Sequence, residues 1–165
     1  MSLDDLAVGD EPVEDGATFE ANARIKARLA LAATGLPALA DDSGLEVDAL
    51  GGLPGVHTRR YAGPEATDAD NNAKLLRELS GLPAGQRGAR YVCVLALAAP
   101  DAPIVTRRGT CRGRISSEPR GTAGFGYDPI FEPVAEPLGG RTFGLYSDEE
   151  KGRISHRARA AHRIT

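Results

Sequence analysis

Tyr91-Val92-Cys93-Val94-Leu95-Ala96-Leu97-Ala98-Ala99 is the stretch that decides the fold. It is short, apolar and closed by Pro100, so it reads as a strand buried in the core. Pro100-Asp101-Ala102-Pro103 is turn chemistry, and residues 104–110 read as its partner strand. Upstream, residues 36–40 read as a short buried strand and 45–50 as a second. Helices are predicted from about 19 to 34, with Thr18 as N-cap and Gly35 past the end, and from about 68 to 79. Thr67 and Asp70 have capping-box spacing at the start of the latter. Ser147 and Glu150 repeat that spacing ahead of one C-terminal helix. Residues 1–17 read as an irregular acidic segment, 51–55 as a tight turn and 116–129 as a Gly/Pro-rich loop. Helices interleave with strands, which predicts an α/β class with a mixed sheet and flanking helices. The 165 residues show no repeat and no linker and read as one domain, 1–165.

A hydrophobic fraction of 41% and a charged fraction of 26% place the chain among ordinary soluble proteins. No apolar run reaches membrane-spanning length and no signal-peptide pattern is seen, so a cytoplasmic setting without a membrane partner is expected. Cys93 and Cys111 lack metal-ligand spacing, and Cys93 reads as a buried thiol. A net charge of −3 speaks against general nucleic-acid binding. Charge is nevertheless segregated. Residues 1–20 hold seven acids and no base, whereas residues 151–165 hold five bases, two histidines and no acid. The basic end is either a solvated helix face or a phosphate site.

Three constellations carry chemistry. Gly124-Phe125-Gly126-Tyr127-Asp128-Pro129-Ile130-Phe131 concentrates three of the chain's eight aromatics. Phe125 and Tyr127 offer faces on which a base can stack, Gly126 permits close approach, and Asp128 can accept from ring N–H groups. The competing reading is a tight turn that plugs the core. Asp41-Asp42-Ser43-Gly44 places two carboxylates at the end of the first short strand, where a cation would offset their repulsion. Asp-Asp-Ser-Gly is equally good turn chemistry. Lys151 and Ser155 lie four apart on the last helix and share a face, with His156 and Arg157 directed elsewhere. Together they form an anion or base-edge contact set, or a surface basic helix.

Taken in order, these stretches resemble the inosine triphosphate pyrophosphatase family, over nearly the whole chain. The resemblance includes Leu50-Gly51-Gly52-Leu53-Pro54-Gly55, Arg60-Tyr61-Ala62-Gly63 and Glu149-Glu150-Lys151 in register with the rest. It implies a cleft within a mixed sheet, a homodimer, and Mg²⁺-dependent cleavage of ITP, dITP or XTP to the monophosphate and pyrophosphate. It implies Asp42 as the catalytic and metal-binding acid, with Asp41 beside it. Phe125 would stack on the base, and Gly126, Tyr127 and Asp128 would shape its pocket. Ser43, Lys151, Ser155, His156 and Arg157 would complete the substrate contacts. A house-cleaning role on modified pyrimidines or methylated bases fits this motif set less well.

Two departures from the family pattern are expected to matter, and a third less so. Family members begin with a strand and a Thr/Ser-x-Asn-x-x-Lys phosphate-binding segment ahead of the acidic region. This chain starts at Met1-Ser2-Leu3-Asp4-Asp5-Leu6, and the first strand and part of the triphosphate site are expected to be absent. The chain also ends sooner than the family's last helix, with less consequence expected. In Thr18-Phe19-Glu20-Ala21-Asn22-Ala23, the family's metal-binding Glu position is Ala21. Glu20 would project about 100° away around the helix and could substitute only if the helix start shifts. The alternative is therefore a relative that binds nucleotide but turns it over poorly.

Overall fold

Thr18 accepts a hydrogen bond from the Ala21 N–H at 3.1 Å and opens α1 (Phe19–Thr34), which Gly35 closes at φ 69°. That left-handed conformation, disfavoured by a Cβ, lets the Gly35 N–H return to the Leu31 carbonyl. The computed structural model describes residues 16–164, so residues 1–15 of the predicted acidic segment lie outside the described residues. Chain order continues through β1 (Ala38–Val47), α2 (Asp68–Glu78), β2 (Gly88–Ala98), β3 (Val105–Ile115), β4 (Phe131–Pro133), α3 (Asp148–Ile154) and α4 (His156–Ile164).

The four strands form one sheet in the order β1-β2-β3-β4. The predicted α/β layering is present, but the mixed sheet is corrected: every strand pairing among the described residues is antiparallel. Successive residues of a strand face opposite sides. Val92, Val94, Ala96 and Ala98 pack with Phe19, Ala23 and Ala27 of α1. Tyr91 joins Leu45, Val47 and Cys111 on the other side, where Phe131, Phe143 and Tyr127 fill the main core. Tyr91 is thus buried on one side of β2 and Val92 on the other, which is why that strand reads as a continuous apolar run.

Two other predictions are corrected. The strands expected at 36–40 and 45–50 are a single strand, β1, with the Asp-Asp-Ser-Gly stretch in its middle. Gly44 makes this work. A Cβ there would lie 2.6 Å from Gly55 O, 2.6 Å from Thr58 Oγ1 and 2.7 Å from Phe19 Cε1. The C-terminal helix is two helices. Ser155 is extended at ψ 158° and ends α3, and its hydroxyl then accepts the Ala158 N–H at 3.2 Å to start α4. The capping boxes at Thr67–Asp70 and Ser147–Glu150 form as predicted.

From Val105 to Arg112, β3 pairs among the described residues with β2 alone. Carbonyls on its outer side are met chiefly by guanidiniums. Arg107 Nη1 donates to Thr106 O at 2.9 Å, Arg163 Nη1 to Arg108 O at 2.6 Å, and Arg159 Nη1 to Thr110 O at 2.9 Å. The Val134 N–H takes Arg112 O at 3.0 Å.

Candidate functional site

A cleft of about 290 Å³ opens on the side of the sheet that carries Tyr91. Its wall is the loop that begins at Gly124. Gly124 (φ 76°) and Gly126 (φ 61°) bend the chain so that Phe125 projects outward, 61% exposed. Lys151 Nζ lies 4.5 Å from the Phe125 ring centroid and Arg157 Cζ 5.5 Å. An exposed aromatic flanked by two cations offers one stacking face and a positive rim.

Asp128 behaves differently from expectation. Its carboxylate is 1% exposed and is engaged by the protein itself. It accepts from the Phe125 N–H at 2.9 Å and the Tyr91 hydroxyl at 3.3 Å, and it pairs with Lys151. Asp128 therefore holds the loop and aims Lys151. Burial, and then the charge of Asp128, raise the Tyr91 pKa, so its hydroxyl keeps the proton it donates. Tyr127 is also buried and donates from its hydroxyl to Thr58 O at 2.9 Å, which makes it a wall between the two sides of the cleft.

The break at Ser155 brings Lys151 of α3 and both His156 and Arg157 of α4 to the same cleft, which corrects their expected divergence. Ser155 itself is buried and serves as the joint. His156 is 5% exposed and stacks on Tyr91, with centroids 4.8 Å apart and planes 10° apart. Burial, reinforced by Arg157 and Lys151, lowers its pKa to about 3. The imidazole is neutral near pH 7, and its Nδ1 has no hydrogen-bond partner among the described residues.

The two adjacent aspartates do not form a pair. Asp41 and Ser43 share one side of β1: Ser43 Oγ donates to Asp41 Oδ2 at 2.9 Å, and Arg157 Nε reaches the same oxygen at 3.1 Å. Asp42 faces α1, 7% exposed, with Lys26 Nζ 2.9 Å from Oδ1 and Asn22 Nδ2 3.3 Å from Oδ2. The pleat separates them, so the expected joint metal ligation by Asp41 and Asp42 is corrected.

Among the described residues no group of three or more His, Cys, Asp or Glu is placed to hold a metal. Glu20, one residue before Ala21, is held through its Oε1 by Arg24 at 2.9 Å and Thr106 at 3.1 Å. A carboxylate such as that of Asp42 is the kind of oxygen ligand that a divalent cation would take, with its remaining ligands from water and substrate phosphates.

Ser43, Phe125, Gly126, Tyr127, Asp128, Lys151, His156 and Arg157 therefore share the cleft, and Asp41 meets it through Arg157. Asp42 stands across the strand. The sequence reading missed Thr58, Arg59, Asp68 and Tyr91, which also line the cleft. Tyr91 was legible only as strand, and Asp68 only as a helix start.

Comparison with known proteins agrees with this architecture. The Ham1 family model matches residues 1–165. A dITP/XTP pyrophosphatase of Syntrophobacter fumaroxidans is 55% identical over 158 residues, 96% of this chain and 66% of that protein. One from Geobacillus kaustophilus is 50% identical over 163 residues, 99% of this chain and 78% of that protein. The Staphylococcus aureus Ham1 protein superposes with a TM-score of 0.91 at 39% identity, covering 99% of this chain and 83% of its own. The dITP/XTP pyrophosphatase structure from Mycobacterium abscessus gives 0.83 at 45% identity, covering 100% and 83%. The chain belongs to the Ham1 family, a family of nucleoside triphosphate pyrophosphatases.

Proposed function

We propose that this chain, as one domain, hydrolyses noncanonical purine nucleoside triphosphates (ITP, dITP and XTP) to the monophosphate and pyrophosphate. The observation that carries the reading is the exposed Phe125 ring with Lys151 and Arg157 beside it in one cleft. On this reading the base stacks on Phe125, and the cationic donors meet the 6-oxo group of hypoxanthine or xanthine. Adenine presents an amine there, which would leave donors facing a donor. The phosphates run past Ser43 around β1, the end strand of the four-stranded sheet, towards Asp42. Asp42 orients a water and takes its proton as a new P–O bond forms and the bridge between the α- and β-phosphates breaks. Lys26 holds that carboxylate in place. Mg²⁺ held by Asp42 would neutralise phosphate charge. A cytoplasmic homodimer completes the proposal. No helix among the described residues is long and apolar enough to cross a membrane.

One observation favours a second reading, binding with little turnover. Ala21 stands where the resemblance implies a metal-binding Glu, one residue before Asn22, whose amide reaches Asp42. Pyrophosphate release from ITP, dITP, XTP and dATP, with and without Mg²⁺, separates the readings. Turnover of the oxo-purines that Asp42→Asn abolishes supports the first, and tight binding without release supports the second. Equal turnover of dATP and dITP would overturn the base selection.

A further inference from the structure

Among the described residues the Phe125 ring stacks on no other aromatic, and 61% of its surface is open. Beyond the flanking Lys151 and Arg157, its position is set by the backbone on which it sits. Two of the strongest anchors on that backbone come from α2, more than fifty residues earlier in the chain. Asp68 Oδ2 accepts the Gly126 N–H at 2.6 Å, and Asn72 Nδ2 donates to the Gly126 carbonyl at 3.0 Å. Asp68 and Asn72 are four apart and share a helix face, so both polar groups of one peptide residue are gripped from one direction. The grip falls on a glycine at φ 61°, whose conformational freedom would otherwise be large.

The neighbouring residue of α2 grips the opposite wall. Asn71 Oδ1 accepts the Ala62 N–H at 2.7 Å, and its Nδ2 donates to Arg59 O at 3.0 Å. Asn71 and Asn72 are both buried. One helix turn thus fixes the distance between the segment bearing Thr58 and Arg59 and the segment bearing Phe125.

We propose that Asp68 and Asn72 are positioning residues for nucleobase recognition, acting through Gly126 to set the stacking face of Phe125. The proposal rests on the reading of the cleft as a base site. The Thr67–Asp70 capping box starts α2 without help from Asp68, so removing Asp68 leaves the helix in place. Losing its bond to Gly126 disorders the loop instead.

The test uses the full chain and measures KM and kcat with ITP for the parent, Phe125→Ala, Asp68→Ala and the double variant. Asp68→Ala raises KM about tenfold, the equivalent of about 1.4 kcal/mol, with kcat retained. The double variant is no worse than Phe125→Ala, because the two changes remove one interaction. Asp68→Asn, which keeps a carbonyl oxygen for the Gly126 N–H, recovers most of the loss. Multiplying KM effects in the double variant, or a fall in kcat at constant KM, would overturn the proposal. If the parent turns over no purine triphosphate, the functional reading fails first. Amide exchange then decides the clamp. In Asp68→Ala the Gly126 amide exchanges faster while the Ile130 amide, bonded to Tyr127 O, does not. Unchanged protection at Gly126 would end the idea.

Discussion

Gly109→Ala is a severe small substitution at a strand position of ordinary backbone conformation. Gly109 lies in β3 opposite Cys93, and α4 crosses directly above it. A Cβ at 109 would overlap the His156 carbonyl oxygen and the Ala160 nitrogen, and would stand 3.0 Å from Ala160 Cα. All three atoms are backbone, so no rotamer change relieves the clash. Ordinary contact begins near 3.4 Å, and close packing gives α4 no choice but to retreat by about 1 Å. Overpacking of this kind costs about 1–3 kcal/mol, and a backbone clash belongs at the upper end. For a chain of this size about 3 kcal/mol lowers Tm by roughly 6–12 °C. The retreat also carries His156 and Arg157 away from the cleft, and a misplacement of about 1 Å can lower kcat/KM by about 100-fold. Thermal denaturation followed by circular dichroism and steady-state kinetics with dITP read both effects. A Tm within about 1 °C of the parent together with unchanged kcat/KM would refute the claim that α4 is seated by the missing side chain.

Phe125→Ala weakens binding of ITP and XTP by about 1–3 kcal/mol each, with little change in their ratio, and calorimetric titration checks it. Ala21→Glu raises pyrophosphate release from dITP and lowers the Mg²⁺ concentration needed. It also completes the box with Thr18, worth roughly 0.5–2 kcal/mol to α1, and an unchanged metal dependence would mean that position 21 is not a metal site. His156 titrates near 6.5 when unfolded but only at about 3 when folded, so unfolding takes up a proton between those values. Stability is therefore full above about pH 6.5 and falls as pH drops towards 3. In His156→Gln the decline in Tm over that window is shallower, and a parallel decline would place the acid sensitivity elsewhere.

The elements governed by local chemistry were legible. Thr18 and Gly35 bound α1, and two capping boxes set the starts of α2 and α3, because caps act within four residues. β1 was misread because Asp41-Asp42-Ser43-Gly44 has the composition of a turn. Distant groups reversed that preference: Lys26 and Asn22 hold Asp42, Arg157 holds Asp41, and Gly44 admits Thr58. The break at Ser155 was missed because no glycine or proline marks it. Its signal is a serine that can cap a new helix, visible only when the hydroxyl is seen on the Ala158 N–H. The aromatic loop was legible as a segment that could present Phe125, but the engagement of Asp128 by the protein itself was not. Its real partners, Tyr91 and Lys151, lie 37 and 23 residues away, and no local pattern announces them.

The guanidiniums along β3 give that edge a polarity. From 106 to 112 its outward acceptors are already taken, three of them by arginines. A foreign strand laid alongside would find donors but no acceptors for its own N–H groups, and would bring those groups against fixed positive charge. The edge is therefore closed to zipper-like growth in one chemical direction only. An anionic side chain can still dock there, whereas a second β-strand cannot. Replacing Arg159 and Arg163 would hand the acceptors back and turn a guarded rim into a template for stacking one molecule upon another.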